Sequence, residues 1–142
     1  MTVLGQLLDR KGHGIFAVEP GASVIDAIRR MAENHVGALL VMQGNKLVGI
    51  VSERDYARKV VLHGKSSATT AVRDIMTSPV VTVTATDTVD HAMRLMTDHR
   101  IRHLPVMQGD AVVGVVSIGD LVRSVIDAQR STIEALQSYI QG

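Results

Sequence analysis

No cysteine occurs among the 142 residues. That absence removes a disulfide scaffold, a thiol nucleophile, a thiolate zinc site and a cysteine-ligated iron–sulfur cluster together. Aromatic residues are nearly missing too. Phe16, Tyr56 and Tyr139 are the whole set, too few for a platform on which successive bases could stack. Nor is there a surplus of one charge: 15 Lys and Arg stand against 14 Asp and Glu, for a formal net charge of +1. Proteins that live on nucleic-acid phosphates or anionic membranes draw on an excess of cations, so neither is an expected partner. No apolar run approaches the ~18 residues that span a bilayer, and Met1–Arg10 lacks the basic-then-apolar layout of a signal peptide. A soluble, cytoplasmic protein is expected. What is present is ordinary globular material, 46% apolar and 20% charged.

The chain is written twice. Shifted by 65 positions, residues 18–56 fall on 83–121 without a gap, and 15 of the 39 pairs are identical. Val24 meets Val89, Ala27 meets Ala92 and Met31 meets Met96. Val41-Met42-Gln43-Gly44 meets Val106-Met107-Gln108-Gly109, and Val51-Ser52 and Asp55 meet Val116-Ser117 and Asp120. A fixed internal period means that one structural unit is used repeatedly.

Each copy reads alike. Ser23 and Thr88 suit a helix N-cap, because a hydroxyl can accept from an otherwise unpaired backbone N–H. Behind them, Val24, Ala27, Ile28, Met31 and Val89, Ala92, Met93, Met96 follow the i, i+3, i+4, i+7 spacing of one helix face. The apolar runs Ala38–Met42 and Leu104–Met107 lead into small turn residues, Gln43-Gly44-Asn45 and Gln108-Gly109-Asp110. Leu47–Val51 and Val112–Val116 close each hairpin, β-branched and apolar enough to predict strands buried on both faces. Second helices start near Ser52 and Ser117, and Ile15–Val18 and Val80–Thr84 supply an extended piece in front. The fold class is α+β, two β-α-β-β-α repeats. A sheet this small does not cover both its faces alone, so the repeats are expected to pack face to face through their sheets about an approximate two-fold axis.

The expected organisation is one module over 1–142, with repeat 1 at 15–62, a linker and short helix at 63–79, repeat 2 at 80–127 and a helical tail at 128–142. Val3, Leu4, Leu7 and Leu8 predict a short N-terminal helix, echoed by Val72–Met76. In the tail, Val122, Ile126, Gln129, Ile133, Leu136 and Ile140 form a heptad-like seam with one polar interruption. Such a seam packs on another helix or lies back on its own domain.

Most motifs that resemble chemistry fail on context. Gly12-His13-Gly14-Ile15-Phe16-Ala17 matches G-x-G-x-x-A, but a dinucleotide fingerprint follows a strand and opens a helix, and here the order is reversed. Gly64-Lys65-Ser66 resembles the end of a P-loop, yet Lys59 stands where the first glycine belongs. His99 and His103 are four apart, but the helix ends between them, so no metal site is expected. No nucleophile–base pair appears, which argues against an enzyme.

One constellation survives, at the same place in both copies. A strand ends in Gly-apolar-Val-Ser and an acid follows three residues on: Gly49-Ile50-Val51-Ser52-Glu53-Arg54-Asp55 and Gly114-Val115-Val116-Ser117-Ile118-Gly119-Asp120. Ser-x-x-Asp at a helix start is a capping box. It is also a corner where free N–H groups and a carboxylate gather, and a carboxylate's two oxygens can accept both hydroxyls of a ribose. Arg102-His103-Leu104-Pro105-Val106 opens the last hairpin with a planar guanidinium fork suited to phosphate. Its counterpart, Gly37-Ala38-Leu39-Leu40-Val41, has almost no side chain at the matching place, so a flat ring could approach the backbone.

A tandem β-α-β-β-α repeat carrying R-H-L-P-V and G-h-h-S-x-x-D resembles a pair of cystathionine-β-synthase (CBS) domains, the Bateman module, over essentially the whole chain and with no attached enzyme, channel or DNA-binding domain. The resemblance implies a stand-alone regulatory sensor that binds AMP, ADP, ATP, NAD or S-adenosylmethionine in the cleft between the repeats. Carried over by motif, Asp55 and Asp120 would hold ribose, with Ser52 and Ser117 beside the sugar or phosphate. Arg102 and His103, followed by Pro105, would reach the phosphates. Val36, Gly37 and Ala38 with Thr82–Thr84 would line the adenine pocket, and Arg54, Arg58 and Arg123 would be further phosphate partners. Gly37-Ala38 against Arg102-His103 makes the two sites unlike. The family's flat dimers imply a homodimer, consistent with the tail seam, and a protein target that reads the ligand. The competing expectation is a constitutive dimerisation or interaction subunit with vestigial sites.

Overall fold

Ser23 and Thr88, each with extended backbone after a turn, start a helix. In this computed structural model, which describes residues 2–141, Ser23 Oγ accepts from the Asp26 N–H at 3.3 Å and Thr88 Oγ1 from the His91 N–H at 3.1 Å. Met1 and Gly142, the ends of the expected module and tail, lie outside the described residues. The elements run α1 (Leu4–Lys11), β1 (Ala17–Val18), α2 (Val24–Asn34), β2 (Ala38–Gln43), β3 (Lys46–Ser52) and α3 (Glu53–Tyr56). A π-helical turn, Ala57–Val61, extends α3, and a 3-10 turn follows at Val72–Asp74. The second copy runs β4 (Val83–Thr84), α4 (Val89–His99), β5 (His103–Gln108), β6 (Ala111–Ser117) and α5 (Ile118–Gln141). The predicted β-α-β-β-α order is present twice.

Two separate three-stranded sheets result, ordered β1-β2-β3 and β4-β5-β6. β1 lies parallel to β2 and β4 parallel to β5, whereas β2 and β3 pair antiparallel. The central strands are buried throughout at Leu39–Val41 and Leu104–Val106. The closing strands are not buried on both faces, contrary to expectation: Gly49 and Val51, and Gly114 and Val116, are buried, while Val48, Ile50, Val113 and Val115 are only half-buried. Burial alternates along both strands, so one face of each is covered and the other only partly. The leading strands shrink to two residues each, since only Ala17–Val18 and Val83–Thr84 find a partner strand.

The chain forms two compact units, each described by itself. One joins α1 to the second repeat; the other holds the first repeat and the segment up to Val81, with the hairpin tip Gly109–Val112. The resemblance between Val3–Leu8 and Val72–Met76 becomes a shared role. Leu8 of α1 covers Gly114 of β6, where an added Cβ would stand 2.7 Å from its Cδ2, and Met76 covers Gly49 of β3, where a Cβ would stand 2.5 Å from its Sδ. Each closing strand carries a glycine because a side chain crosses it in contact with the backbone. In the first repeat, Val24, Ala27, Met31, Leu39, Val41, Val51, Val60, Val72 and Ile75 form the core.

Helix α5 buries Leu121 and Ser124, and from Ile126 to Ile140 every residue is exposed. Ile126, Ile133, Leu136 and Ile140 are 43%, 54%, 58% and 81% exposed. The seam therefore does not lie back on its own domain, which corrects that half of the expectation.

Leu8 is fully buried, so it has nowhere to move. Gly114→Ala should destabilise the protein by about 1–3 kcal/mol through overpacking. Gly119→Ala, whose Cβ would meet nothing closer than Ser117 Oγ at 3.7 Å, should change stability by less than about 1 kcal/mol. Urea unfolding of both variants checks the pair, and equal losses would refute the packing account.

Candidate functional site

Both Ser-x-x-Asp corners close as capping boxes. Asp55 Oδ2 accepts from the Ser52 N–H at 2.9 Å and from Ser52 Oγ at 3.1 Å, while the Asp55 N–H donates to Ser52 Oγ at 3.2 Å. Asp120 Oδ2 accepts from the Ser117 N–H at 2.9 Å, and its own N–H donates to Ser117 Oγ at 3.2 Å. A second bond ties each corner to the start of its hairpin. The Ile118 N–H donates to the Arg102 carbonyl at 2.8 Å, and the Glu53 N–H to the Gly37 carbonyl at 3.0 Å. A helix start leaves N–H groups without partners inside the helix, and here one of them is used to bring the two predicted motifs of each repeat together.

In the second repeat this places Arg102, His103, Ser117 and Asp120 at one corner. Arg102 is exposed, His103 is half-buried at the first position of β5, and Pro105 is buried two residues on. Arg123 is exposed one helical turn past Asp120. Thr82 precedes β4. Thr84 stands opposite Met107, roughly 13 Å along β5 from His103 at the rise of a strand. Its N–H donates to Asp87 Oδ2 at 2.7 Å and its hydroxyl pairs with that of Thr86 at 3.1 Å, so its polar groups serve the turn before α4. In the first repeat, Gly37 and Ala38 open β2 beside Ser52, Val36 is half-buried just before them, Arg54 and Asp55 are half-buried in α3, and Arg58 is exposed.

Two lysines complete the corners, and neither was anticipated. Lys11 Nζ, at the end of α1, donates to Asp120 Oδ2 at 2.6 Å and to the Val115 carbonyl at 2.6 Å. Lys59 Nζ lies 3.2 Å from Asp55 Oδ1 and donates to the Ile75 carbonyl at 2.8 Å. The i, i+4 spacing of Asp55 and Lys59 is a signal the sequence carried. Lys11 is 109 positions from its partner and offered none.

These neighbours set the ionisation of the corner. Burial pushes the Asp120 carboxyl up, but the hydrogen bonds from Lys11 and from the Ser117 backbone, with the Lys11 charge, outweigh it and hold the group below the usual carboxylate range. Burial lowers His103, with the Lys11 ammonium adding and the Asp120 charge opposing. At neutral pH the corner therefore holds an anionic acid, an uncharged imidazole and two cations, Lys11 and Arg102. Two grooves open elsewhere, about 480 Å³ beside Val89, Ser124 and Ile133 and about 400 Å³ beside Val18, Asp26 and Arg30, and neither is lined by a predicted site residue. Among the described residues no cluster of metal-ligating side chains occurs, and no helix is long and apolar enough to cross a membrane.

The model of the CBS domain matches residues 12–62 and again 72–127. The chain belongs to the CBS domain family. A CBS domain-containing protein of Arabidopsis thaliana, CBSX3, named as mitochondrial, is 46% identical over 125 residues, covering 84% of this chain and 61% of its own length. The chain thus spans less than two thirds of that relative. Among solved structures, a proposed signal-transduction protein with CBS domains from Burkholderia ambifaria is 50% identical with a TM-score of 0.87, over 90% of this chain and 96% of that one. The CBS domain pair of protein MJ0100, in complex with 5′-methylthioadenosine and S-adenosyl-L-methionine, is 25% identical with a TM-score of 0.80, over 90% and 98% of the two chains. The CBS-pair fold expected from the duplication is the one observed.

Two histidines of the CBS pair should respond to pH with opposite sign. His103, lowered by burial, stabilises fully above the ordinary histidine value of about 6.5, and that contribution is lost as the pH falls through this range. His13 is raised, first by its bond to the Val113 carbonyl and then by Asp9. Its contribution is present below the ordinary value and lost as the pH rises through the raised one. Melting curves across this range should show His103→Gln less acid-sensitive than the parent and His13→Gln less sensitive on the alkaline side. A His103→Gln variant that is more acid-sensitive would contradict the assignment.

Proposed function

We propose that this CBS pair is a regulatory module that binds an adenine nucleotide, AMP, ADP, ATP or an NAD-type ligand, at its Ser-x-x-Asp corners. The observation that carries this is the doubled corner, in which the backbone joins a half-buried acid to the start of a hairpin. In this reading Asp120 and Asp55 hold ribose hydroxyls, and Ser117 and Ser52 stand beside the sugar. Arg102 and His103 take phosphate, with Arg123, Arg54 and Arg58 as further cations. The backbone at Val36, Gly37 and Ala38 and the strand Thr82–Thr84 receive the base. The adenosine ligands on the MJ0100 pair support the ligand class. The lack of an Arg-His pair in the first repeat supports unlike ligands or affinities at the two corners. The reading keeps a cytoplasmic setting and no catalytic step.

A sensor needs a ligand that binds one state of the protein better than another, and the signal is limited to that difference. The exposed seam of α5 supports a homodimer as the carrier of the signal, alongside a protein target. Lysine at Ile133 and Leu136 would place charge in the seam, and sedimentation of the double variant should show monomer where the parent is dimeric. A parent that is monomeric, or a variant that stays dimeric, would remove the seam from the proposal.

One observation favours the competing reading of a scaffold with vestigial sites: Oδ2 of each acid already serves a capping box. Asp120→Ala separates the two. As a ribose ligand, the carboxylate contributes hydrogen bonds of about 1.5–3 kcal/mol each, so AMP affinity should fall on the order of 10–100-fold. As a cap alone, its loss should cost about 1 kcal/mol of stability and leave binding unchanged. Calorimetric titration with AMP beside thermal melting gives the answer, and mass spectrometry of small molecules released from the purified protein would identify the ligand.

A further inference from the structure

The Asp120 corner has an occupant that Asp55 lacks: a cation brought by a different element. Oδ2 of Asp120 accepts from the Ser117 N–H at 2.9 Å and from Lys11 Nζ at 2.6 Å. An oxygen with two such donors has both lone pairs engaged. A ribose that grips both carboxylate oxygens must therefore take the place of Lys11 at Oδ2, since the Ser117 N–H is fixed in the backbone. Asp55 differs. Its Oδ2 is filled by Ser52, and Lys59, on the same helical segment, reaches Oδ1 at 3.2 Å.

From this arrangement, and resting on the proposed nucleotide reading, we infer that Lys11 is a specificity-determining residue of the Asp120 corner, selecting nucleosides that carry phosphate over the bare nucleoside. An ammonium displaced from a carboxylate loses a charge-assisted hydrogen bond, one of the stronger contacts a protein makes. A phosphate on the incoming nucleoside restores an anion for it; adenosine restores nothing. Lys11 is placed to make the exchange. Its side chain is 38% exposed while that of Asp120 is 13% exposed, so the lysine can turn where the acid does not. Its bond to the Val115 carbonyl at 2.6 Å keeps the displaced ammonium at the corner, and an ammonium has a third N–H to offer. Arg102 stands at the same corner through the Ile118 to Arg102 backbone bond. His103 is held uncharged by burial and by Lys11, so the positive charge at this corner comes from Lys11 and Arg102, with the exposed Arg123 one helical turn past Asp120.

Calorimetric titration of the full chain with AMP and with adenosine tests this, using the parent, Lys11→Gln and Lys11→Met. In the parent, AMP binds more tightly than adenosine. In both variants adenosine should bind roughly tenfold more tightly, about one charge-assisted contact, because nothing has to be displaced. AMP, whose phosphate only replaces the contact that Lys11 gives up, changes much less, so the preference for AMP shrinks. A variant that loses both ligands in the same proportion, or that keeps the parent's preference, overturns the role of Lys11 and leaves the nucleotide reading standing. A parent that binds neither ligand overturns the nucleotide reading itself, and the inference falls with it. The unmodified protein gives an independent readout should a variant fail to fold. With labelled lysine, the Lys11 side-chain NMR signal should move on titration with AMP, and a signal that stays in place while AMP binds refutes the exchange.

Discussion

Everything at the two corners depends on one main-chain hydrogen bond, made twice. The first N–H of the helix after each hairpin donates to the carbonyl just ahead of that hairpin, Ile118 to Arg102 and Glu53 to Gly37. A helix start must place its unpaired N–H groups somewhere. Spending one on the far end of the same hairpin closes the strand pair onto the helix. The serine at the strand end and the acid three residues later close a capping box there in both repeats, and that box sets where the carboxylate sits relative to the residue opening the hairpin.

The same backbone frame serves two different electrostatic settings. In the second repeat the hairpin opens with Arg102 and His103, and Lys11 arrives from α1 to share the oxygen that caps the helix. In the first it opens with Gly37 and Ala38, and the counter-ion is Lys59, from the helical segment that already carries Asp55. Duplication supplied the frame and divergence of a few side chains made the corners unlike. The unequal origin of the two lysines also follows from packing. Leu8 seats α1 against Gly114, which delivers the end of that helix to β6, whereas Gly49 is covered by Met76, which follows a single 3-10 turn and adjoins Thr77, itself bridged to Ile50 of the same hairpin.

The exposed length of α5 belongs to the same picture. Its first turns bury Leu121 and Ser124 against the second repeat, so the part of the helix that carries Asp120 and Arg123 is anchored. From Ile126 on, the residues of the apolar seam are exposed. A helix held rigidly at its start and bare along its length connects the neighbourhood of a carboxylate to a surface that another helix could read, which is what a regulatory module requires of its architecture.

Period and composition determined a great deal here. The 65-residue duplication, the capped helices after Ser23 and Thr88, the hairpins around Gly44 and Gly109 and the Ser-x-x-Asp corners were all legible, because each depends on residues close together along the chain, where spacing is geometry. The apolar content of the closing strands does not reveal whether one face or both are covered, which only the packing around the sheet decides. Val122 to Ile140 spelled a seam but not its fate, since the same spacing suits a partner helix or the domain's own surface. Lys11 could not be found at all: a salt bridge across 109 positions has no period, and only the packing of α1 over a glycine of β6 places the ammonium at the acid. Local order was written in the chain, and the charge at the corner was decided by the fold.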